Sequence, residues 1–256
     1  MASLQALIFD VDGTLADTER DGHRVAFNRA FAEAGLDWEW SVERYGELLR
    51  VTGGKERIRQ YLTEDHPRVL EESGIDDRIR TLHEAKTRHY VALLEGGAIP
   101  LRPGVERLLD EAAAAGLRLA IATTTTPANV TALLRATLGE EGPGRFEVIA
   151  AGDIVPAKKP APDIYTHALA EMGLTAAEAL ALEDSDNGVR SARDAGLEVV
   201  VTTNDYTRDQ YFSGALAVLD GFGEPGAPAR SLAGAELPGD VVDVATLCRW
   251  FDHARP

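Results

Sequence analysis

Asp10 and Asp12 stand one residue apart at the end of the apolar run Ala6-Leu-Ile-Phe9, and Gly13-Thr14 break the run. Side chains alternate in direction along a strand, so the two carboxylates point the same way. Placed together they repel each other unless a cation lies between them, which suggests a magnesium site with a nucleophilic aspartate. The plainer reading is a strand that closes in an Asp-Gly turn. Three further groups stand where an apolar run meets a loop: Thr123, Lys159 within Ala157-Lys-Lys-Pro-Ala-Pro-Asp163, and Glu183-Asp184. Carboxylates supply hard oxygen ligands for magnesium, which keeps several waters and accepts phosphate oxygens as further ligands. A hydroxyl, neighbouring backbone N–H groups and a lysine can share the remaining charge of a phosphoryl group.

These groups meet only if the elements between them form a parallel sheet. Apolar runs at 117–122, 146–150, 179–182 and 198–202 alternate with helical patterns at 104–115, 127 onward, 162–172 and 187–195. Strands alternating with helices of that length give a doubly wound parallel α/β sheet of the Rossmann type, whose carboxyl strand ends converge on one crevice. The stretch 17–97 interrupts this pattern. It shows helical spacing from 17 to 34, 42 to 51, 55 to 62 and 76 to 94, and no convincing strand. We therefore expect an all-helical cap at 17–97 inserted after the first strand, with 1–16 and 98–256 forming the core. The Gly-, Pro- and Ala-rich stretch 221–239 reads as a surface loop or partly disordered segment, and 241–251 as a closing helix.

Composition narrows the function. A formal net charge of −16 argues against a nucleic-acid or anionic-membrane surface, because binding there is driven by neutralising phosphates. An anionic small molecule is still compatible, held by a local basic pocket. The single Cys248 rules out an internal disulfide and a cysteine metal cluster. The run 6–9 is too short for a signal peptide, and nothing reaches the length of a membrane span. The expectation is a cytoplasmic protein, a monomer, with a small-molecule substrate.

Asp10-Val-Asp-Gly-Thr14, Thr123, Lys159-Pro160 and Glu183-Asp184 resemble, in order and spacing, the four motifs of the haloacid dehalogenase-like (HAD) hydrolases. The helical insert after the first motif resembles the subgroup with a helical cap at that place. Finer features, Thr52-Gly-Gly-Lys-Glu-Arg57, Ala122-Thr-Thr-Thr125, Ala150-Ala-Gly-Asp153, 158–165 and 181–188, resemble the CbbY-type sugar-phosphate phosphatases, which act on xylulose 1,5-bisphosphate. The resemblance implies roles. Asp10 would be the nucleophile that gives an aspartyl-phosphate, and Asp12 the general acid and then base, its backbone carbonyl a magnesium ligand. Its proton affinity is expected to rise beside a second carboxylate and a phosphate. Asp184 would complete the metal's ligands, with Glu183 a ligand or the partner of one. Thr123 and Thr124 would hold phosphoryl oxygens, although Thr123 could instead cap a helix. Lys159 is preferred to Lys158 because the family's lysine precedes the proline. Asn187 would orient the metal or phosphate, or serve as a helix cap.

The insert should lie over the crevice and exclude water. Gly53-Gly54-Lys55 at a helix start makes an anion receptor, so Gly54 and Lys55, helped by Arg57 or Arg50, are the candidates for a second, non-reacting phosphate. Glu19 and His23 would face the sugar hydroxyls and leaving oxygen. His23 follows Gly22, an extra residue relative to the family. Trp38 and Trp40 read as cap core. A phosphomutase of the β-phosphoglucomutase type shares these motifs and is the alternative; a non-catalytic phosphate-binding module is disfavoured by the intact Asp10, Asp12, Lys159 and Asp184.

Overall fold

The computed structural model describes residues 3–254. Strands β1 (Ala6–Phe9), β2 (Arg118–Thr123), β3 (Val148–Ala151), β4 (Ala179–Glu183), β5 (Glu198–Thr202), β6 (Ala217–Leu219) and β7 (Ser231–Gly234) form one sheet in the order β3-β2-β1-β4-β5-β6-β7. The first six run parallel and β7 lies antiparallel on β6. Phe9 is in register with Ile121 on one side and Leu182 on the other. The carboxyl ends of β1, β2 and β4 are therefore level, and the strand order turns outward in both directions from β1, which is where such sheets hold ligands.

The strand sequences explain the layers. Leu7, Phe9, Leu119, Ile121, Leu180 and Leu182 face one way, against α5 (Val105–Ala114), α6 (Pro127–Leu138) and α9 (Val244–His253). Ala6, Ile8, Ala120, Ala122, Ala179 and Ala181 face the other way, against Ile164, Tyr165 and Leu169 of α7 (Asp163–Met172) and Val189 of α8 (Asp186–Asp194). The small alanines let α7 and α8 lie close to the strand ends. Each fully buried Leu, Ile or Phe adds about 1.5–3 kcal/mol of hydrophobic stabilisation.

Between Ala16 and Leu101 the regular structure among the described residues is helical: a π-turn at Glu19–His23, then α1 (Arg24–Glu33), α2 (Val42–Leu48), α3 (Gly54–Asp65), a 3₁₀ turn at Pro67–Glu71 and α4 (Ile75–Glu95). This insert has its own aromatic core of Phe27, Phe31, Trp38, Trp40, Tyr45 and Tyr61. Phe31 and Trp40 meet edge to face with centroids 5.0 Å apart, a favoured aromatic geometry. Helix α4 joins the two regions: Ile79 and Leu82 belong to the aromatic core, Tyr90 and Leu94 to the sheet's core. The chain leaves the sheet at Ala16 and returns beside it, with Ala16 bridged to Leu101 and the Arg102 N–H donating to Leu15 O at 2.9 Å. The buried Arg102 guanidinium donates to the carbonyls of Gly13, Thr202 and Thr203, fixing this crossing.

The region 221–239 differs from expectation. It carries β7, and Glu224 bridges Ala227. Every residue of β7 is exposed, so no alternation of apolar and polar residues marks it. The three-residue β6 is equally hard to read from pattern alone. The closing helix α9 is present, capped by Asp243, whose side chain accepts from Thr246 N–H at 2.7 Å. No helix among the described residues is long and apolar enough to cross a membrane.

Candidate active site

The β1 chain stays paired one residue past the strand, the Asp10 N–H donating to Leu182 O at 2.9 Å, and this fixes the Asp10 side chain at the strand end. Val11–Ala16 then folds tightly back, with the Gly13 N–H on Ala16 O at 2.8 Å. Gly13 has φ +89°, and a Cβ there would overlap the Asp184 carboxylate, so only glycine permits this approach. Glu183 ends β4 and Asp184 follows it, beside the end of β1. Ser185 caps α8 by accepting from the Gly188 N–H at 3.2 Å. A Cβ on Gly188 would overlap the Glu183 carboxylate, which is pressed against the first turn of α8.

Carboxylate oxygens of Asp10, Glu183 and Asp184 lie within 4.8 Å of one another, and all three residues are buried. Lys159 spends its three N–H donors inside this group: on Asp10 Oδ1 at 2.7 Å, Glu183 Oε1 at 2.6 Å and Ala122 O at 2.9 Å. Tyr165 O–H donates to the same Glu183 oxygen at 2.5 Å, and Asn204 Nδ2 donates to Asp184 Oδ2 at 2.6 Å. Burial alone would push the Lys159 ammonium down, but Asp10 and Glu183 outweigh it and hold it charged above its usual range. Burial, then Glu183 and Asp12, push Asp10 up to about 7 against the opposing Lys159. Burial, Asp10 and Glu183 likewise raise Asp184 well above the carboxylate range. One ammonium does not balance three buried carboxylates. Burial and mutual repulsion raise the proton affinities of Asp10 and Asp184, and a hard divalent cation fits such an oxygen donor set.

Asp12 is different. Its Oδ1 accepts from Thr18 Oγ1 at 2.6 Å and meets His23 Nε2 at 2.8 Å. His23 Nδ1 lies 2.8 Å from Lys86 Nζ. An ammonium can only donate, so Nδ1 accepts and the Nε2–H faces Asp12. Burial pushes Asp12 up, but His23, Thr18 and Lys86 together pull it down to about 2. Proton affinity is thus raised at Asp10 and lowered at Asp12, the reverse of the expected rise at Asp12, because the neighbours of Asp12 are cationic and hydrogen-bonding groups of the insert.

A cavity of about 610 Å³ opens over this group. Asp10, Asp12, Thr123, Thr124, Lys159, Asp184 and Asn187 line it from the core, and Glu19, Arg50 and Arg57 from the insert. Thr123 Oγ1 accepts from the Thr125 N–H at 3.3 Å, whereas Thr126 caps α6, so Thr123 is not the helix cap. Nor is Asn187: its Nδ2 donates to Arg50 O at 3.3 Å and Thr52 Oγ1 at 3.2 Å, across to the insert. Arg57 is buried, donates from Nη1 to Tyr45 Oη at 2.8 Å, and has no partner at Nε. The Tyr45 O–H in turn donates to Glu19 Oε2.

Three sequence candidates stand elsewhere. His23 is 3% exposed and braces Asp12 from behind instead of facing the cavity. Gly22 lies in the π-turn, where a Cβ would meet Ile99 at 2.5 Å and Tyr90 at 2.9 Å; such a turn winds one residue more than an α-turn. Gly54 packs on His83, and Lys55 Nζ is paired with Asp153 Oδ2 at 2.5 Å outside the cavity. Lys158 is also outside, on Glu56 and Asp153. Sequence reasoning missed Lys86, Tyr165, Asn204 and Tyr45. Lys86 did leave a signal: it lies on the buried stripe Ile79, Leu82, Lys86, Tyr90, where a lysine needs a partner.

Comparison with known proteins agrees with this geometry. Residues 4–196 match the family described as haloacid dehalogenase-like hydrolase. Protein CbbY of Cupriavidus necator is 48% identical over 250 residues, covering 96% of each chain. The crystal structure of CbbY from Rhodobacter sphaeroides with phosphate superposes with a TM-score of 0.78 at 49% identity, covering 85% of this chain and 94% of that one. A D10N mutant of the same protein, in complex with xylulose-(1,5)bisphosphate, gives a TM-score of 0.79 at 48% identity over 91% of this chain and 100% of that one.

Proposed function

We propose that this chain, which belongs to the haloacid dehalogenase-like hydrolases and is a phosphatase, removes a phosphate from a sugar bisphosphate, xylulose 1,5-bisphosphate, with magnesium and through an aspartyl-phosphate. The observation that carries the reading is the Lys159 ammonium set between Asp10 and Glu183 on the core side of the cavity, with Arg57 on the wall that the insert supplies. We place it in the cytoplasm, acting as a monomer, with residues 17–97 as its cap.

Asp10 attacks phosphorus, the bond from phosphorus to the sugar oxygen breaks, and Asp12 protonates that oxygen. Water then attacks the aspartyl-phosphate, gives its proton to Asp12, and frees inorganic phosphate and Asp10. Asp12 rests as an anion held by His23 and Thr18, so the proton of the first step arrives with the substrate, whose phosphate raises the proton affinity of Asp12. Lys159, the Thr123 hydroxyl and the Thr124 backbone hold the phosphoryl oxygens. Asp10, Asp184 and the Asp12 carbonyl would hold magnesium, with Glu183 a ligand or the partner of one, and the ion would neutralise phosphoryl charge. Asn187 ties the phosphate end to the loop of Thr52. Glu19, set by Tyr45, receives the sugar hydroxyls, and Arg57 with Arg50 the distal phosphate.

The test is a panel of sugar monophosphates and bisphosphates assayed for phosphate release with and without magnesium. Steady release from xylulose 1,5-bisphosphate without an added sugar-bisphosphate activator is expected, and an absolute need for such an activator would identify a mutase instead. Asp10→Asn should abolish turnover; phosphate release that survived it would refute the nucleophile.

A further inference from the structure

Helix α3 begins Gly54-Lys55-Glu56-Arg57. Its first turn faces two ways. Arg57 turns inward and lines the cavity. Lys55 and Glu56 turn toward the core, where each meets a charge of opposite sign. Lys55 Nζ lies 2.5 Å from Asp153 Oδ2. Lys158 Nζ lies 2.9 Å from Glu56 Oε2 and 3.0 Å from Asp153 Oδ1. Glu56, Lys158, Asp153 and Lys55 thus form one chain of alternating charge that crosses between insert and core twice. The Lys158 side chain is only 16% exposed. Gly53, at φ +97°, is pressed against the Glu56–Lys158 pair, where a Cβ would overlap the Glu56 carboxylate and stand 2.8 Å from Lys158 Nζ.

The residues next to this chain both line the cavity, Arg57 from the insert and Lys159 from the core. Arg57 follows Glu56, and Lys159, which touches Asp10, follows Lys158. The Glu56–Lys158 ion pair therefore joins, through adjacent residues, Lys159 on the core side of the cavity to Arg57 on the insert side. An isolated pair on open surface would do little, being screened and entropically costly. A chain of four charges seated against a glycine and holding a mostly buried lysine restricts one helix turn to one place.

We propose that Glu56 and Lys158, with Lys55 and Asp153, are positioning residues that pin the first turn of α3 to the core and so fix the span from Asp10 to Arg57, making the enzyme select substrates with a second anionic group at that separation. The proposal rests on the reading of Arg57 as the receptor of the distal phosphate. It accounts for why Lys55, in the first turn of α3, is committed to Asp153 and not to the cavity.

The experiment compares xylulose 1,5-bisphosphate with p-nitrophenyl phosphate, which lacks a second anionic group, in Glu56→Gln, Lys158→Met and the double variant. Each single change should raise KM for the bisphosphate about two- to fivefold, the range of partly exposed ion pairs. The double variant should be no worse than the poorer single one, as expected for coupled partners. Constants for p-nitrophenyl phosphate should not move. In an Arg57→Met background, Glu56→Gln should have no further effect on the bisphosphate. Spin labels on α3 and α7 should report a broader, longer distance distribution in the variants than in the wild type. Equal losses on both substrates, additive single effects, or an unchanged distance distribution would overturn the proposal. A wild type that turned over the bisphosphate no better than p-nitrophenyl phosphate would sink the functional reading instead, and the spin-label distances would still decide whether the turn is pinned.

Discussion

Lys86→Met should make the protein more stable and less active. The Lys86 ammonium is 4% exposed and sits between the rings of Phe27 and Tyr90, 5.0 and 5.2 Å from their centroids. Burial pushes it down from 10.5 to about 8, with Asp12 and Glu19 compensating only in part. At ~1.4 kcal/mol per tenfold change in proton affinity, holding this lysine charged at neutral pH costs about 3 kcal/mol. Methionine fills the same apolar slot without that cost. His23 Nδ1 loses its donor, which takes back about 1 kcal/mol. The net gain of about 2 kcal/mol corresponds to a melting temperature higher by about 4–8 °C for a chain of this size. The sign has a pH signature. The folded value lies below the unfolded one, so the penalty is fully present below about pH 8 and fades toward the unfolded lysine's value. The advantage of the variant should therefore be large at pH 7 and small near pH 10. Activity moves the other way: without Lys86 the His23 ring is no longer held with Nε2–H toward Asp12, and kcat should fall about 10- to 100-fold, as for other lost supporting hydrogen bonds. Calorimetry at the two pH values and steady-state phosphate release check both arms. A melting temperature that did not rise at pH 7, or a kcat that did not fall, would refute this account of Lys86.

Chelation with EDTA should abolish phosphate release and magnesium should restore it; magnesium should also raise the melting temperature by relieving the repulsion among Asp10, Glu183 and Asp184. Gly188→Ala places a methyl group on the Glu183 carboxylate, which must then leave Lys159 and Tyr165. It should cost about 2 kcal/mol or more of stability and at least about 100-fold in kcat, read by denaturant unfolding and by turnover, whereas Gly144→Ala, with open space around it, should be neutral in both.

The strand ends were legible because each announces itself twice, as an apolar run and as a polar residue that stops it. Asp10, Thr123 and Glu183 needed only the rule that parallel strands finish on one side, and β1, β2 and β4 are level there. Lys159 against Lys158 could not be settled by chemistry alone, since the residues are adjacent and identical. The fold separates them, sending one ammonium inward to Asp10 and the other outward to Glu56. The insert was legible as helices but not as a surface. Its helix period shows which residues are buried, not which neighbour they meet, so His23 and Lys55 were placed at the cavity wall when both are already committed, to Asp12 and to Asp153. Strand β7 was illegible for a different reason: it is held by pairing to β6 alone, with all its side chains exposed.

The two carboxylates at the end of β1 are equivalent in the sequence and opposite in the fold, and the difference lies in which region supplies their neighbours. Asp10 is surrounded by the core: Lys159, Glu183 and Asp184 all come from strand ends or loops of the sheet. Every side-chain partner of Asp12 comes from the insert or the linker into it: Thr18 and His23 directly, Lys86 through His23. A movement that withdrew the insert would leave the environment of Asp10 intact and strip Asp12 of the groups that hold it as an oriented anion. On the roles proposed for them, attack on phosphorus by Asp10 would be prepared by the sheet, while proton transfer by Asp12 would be prepared only when the insert is in place. The same placement sets Arg57 and Glu19 on the cavity wall. The proposed mechanism therefore ties proton transfer to the arrival of a sugar phosphate that the insert accepts, and predicts that a phosphate ester too small to hold the insert down meets Asp10 without an oriented Asp12.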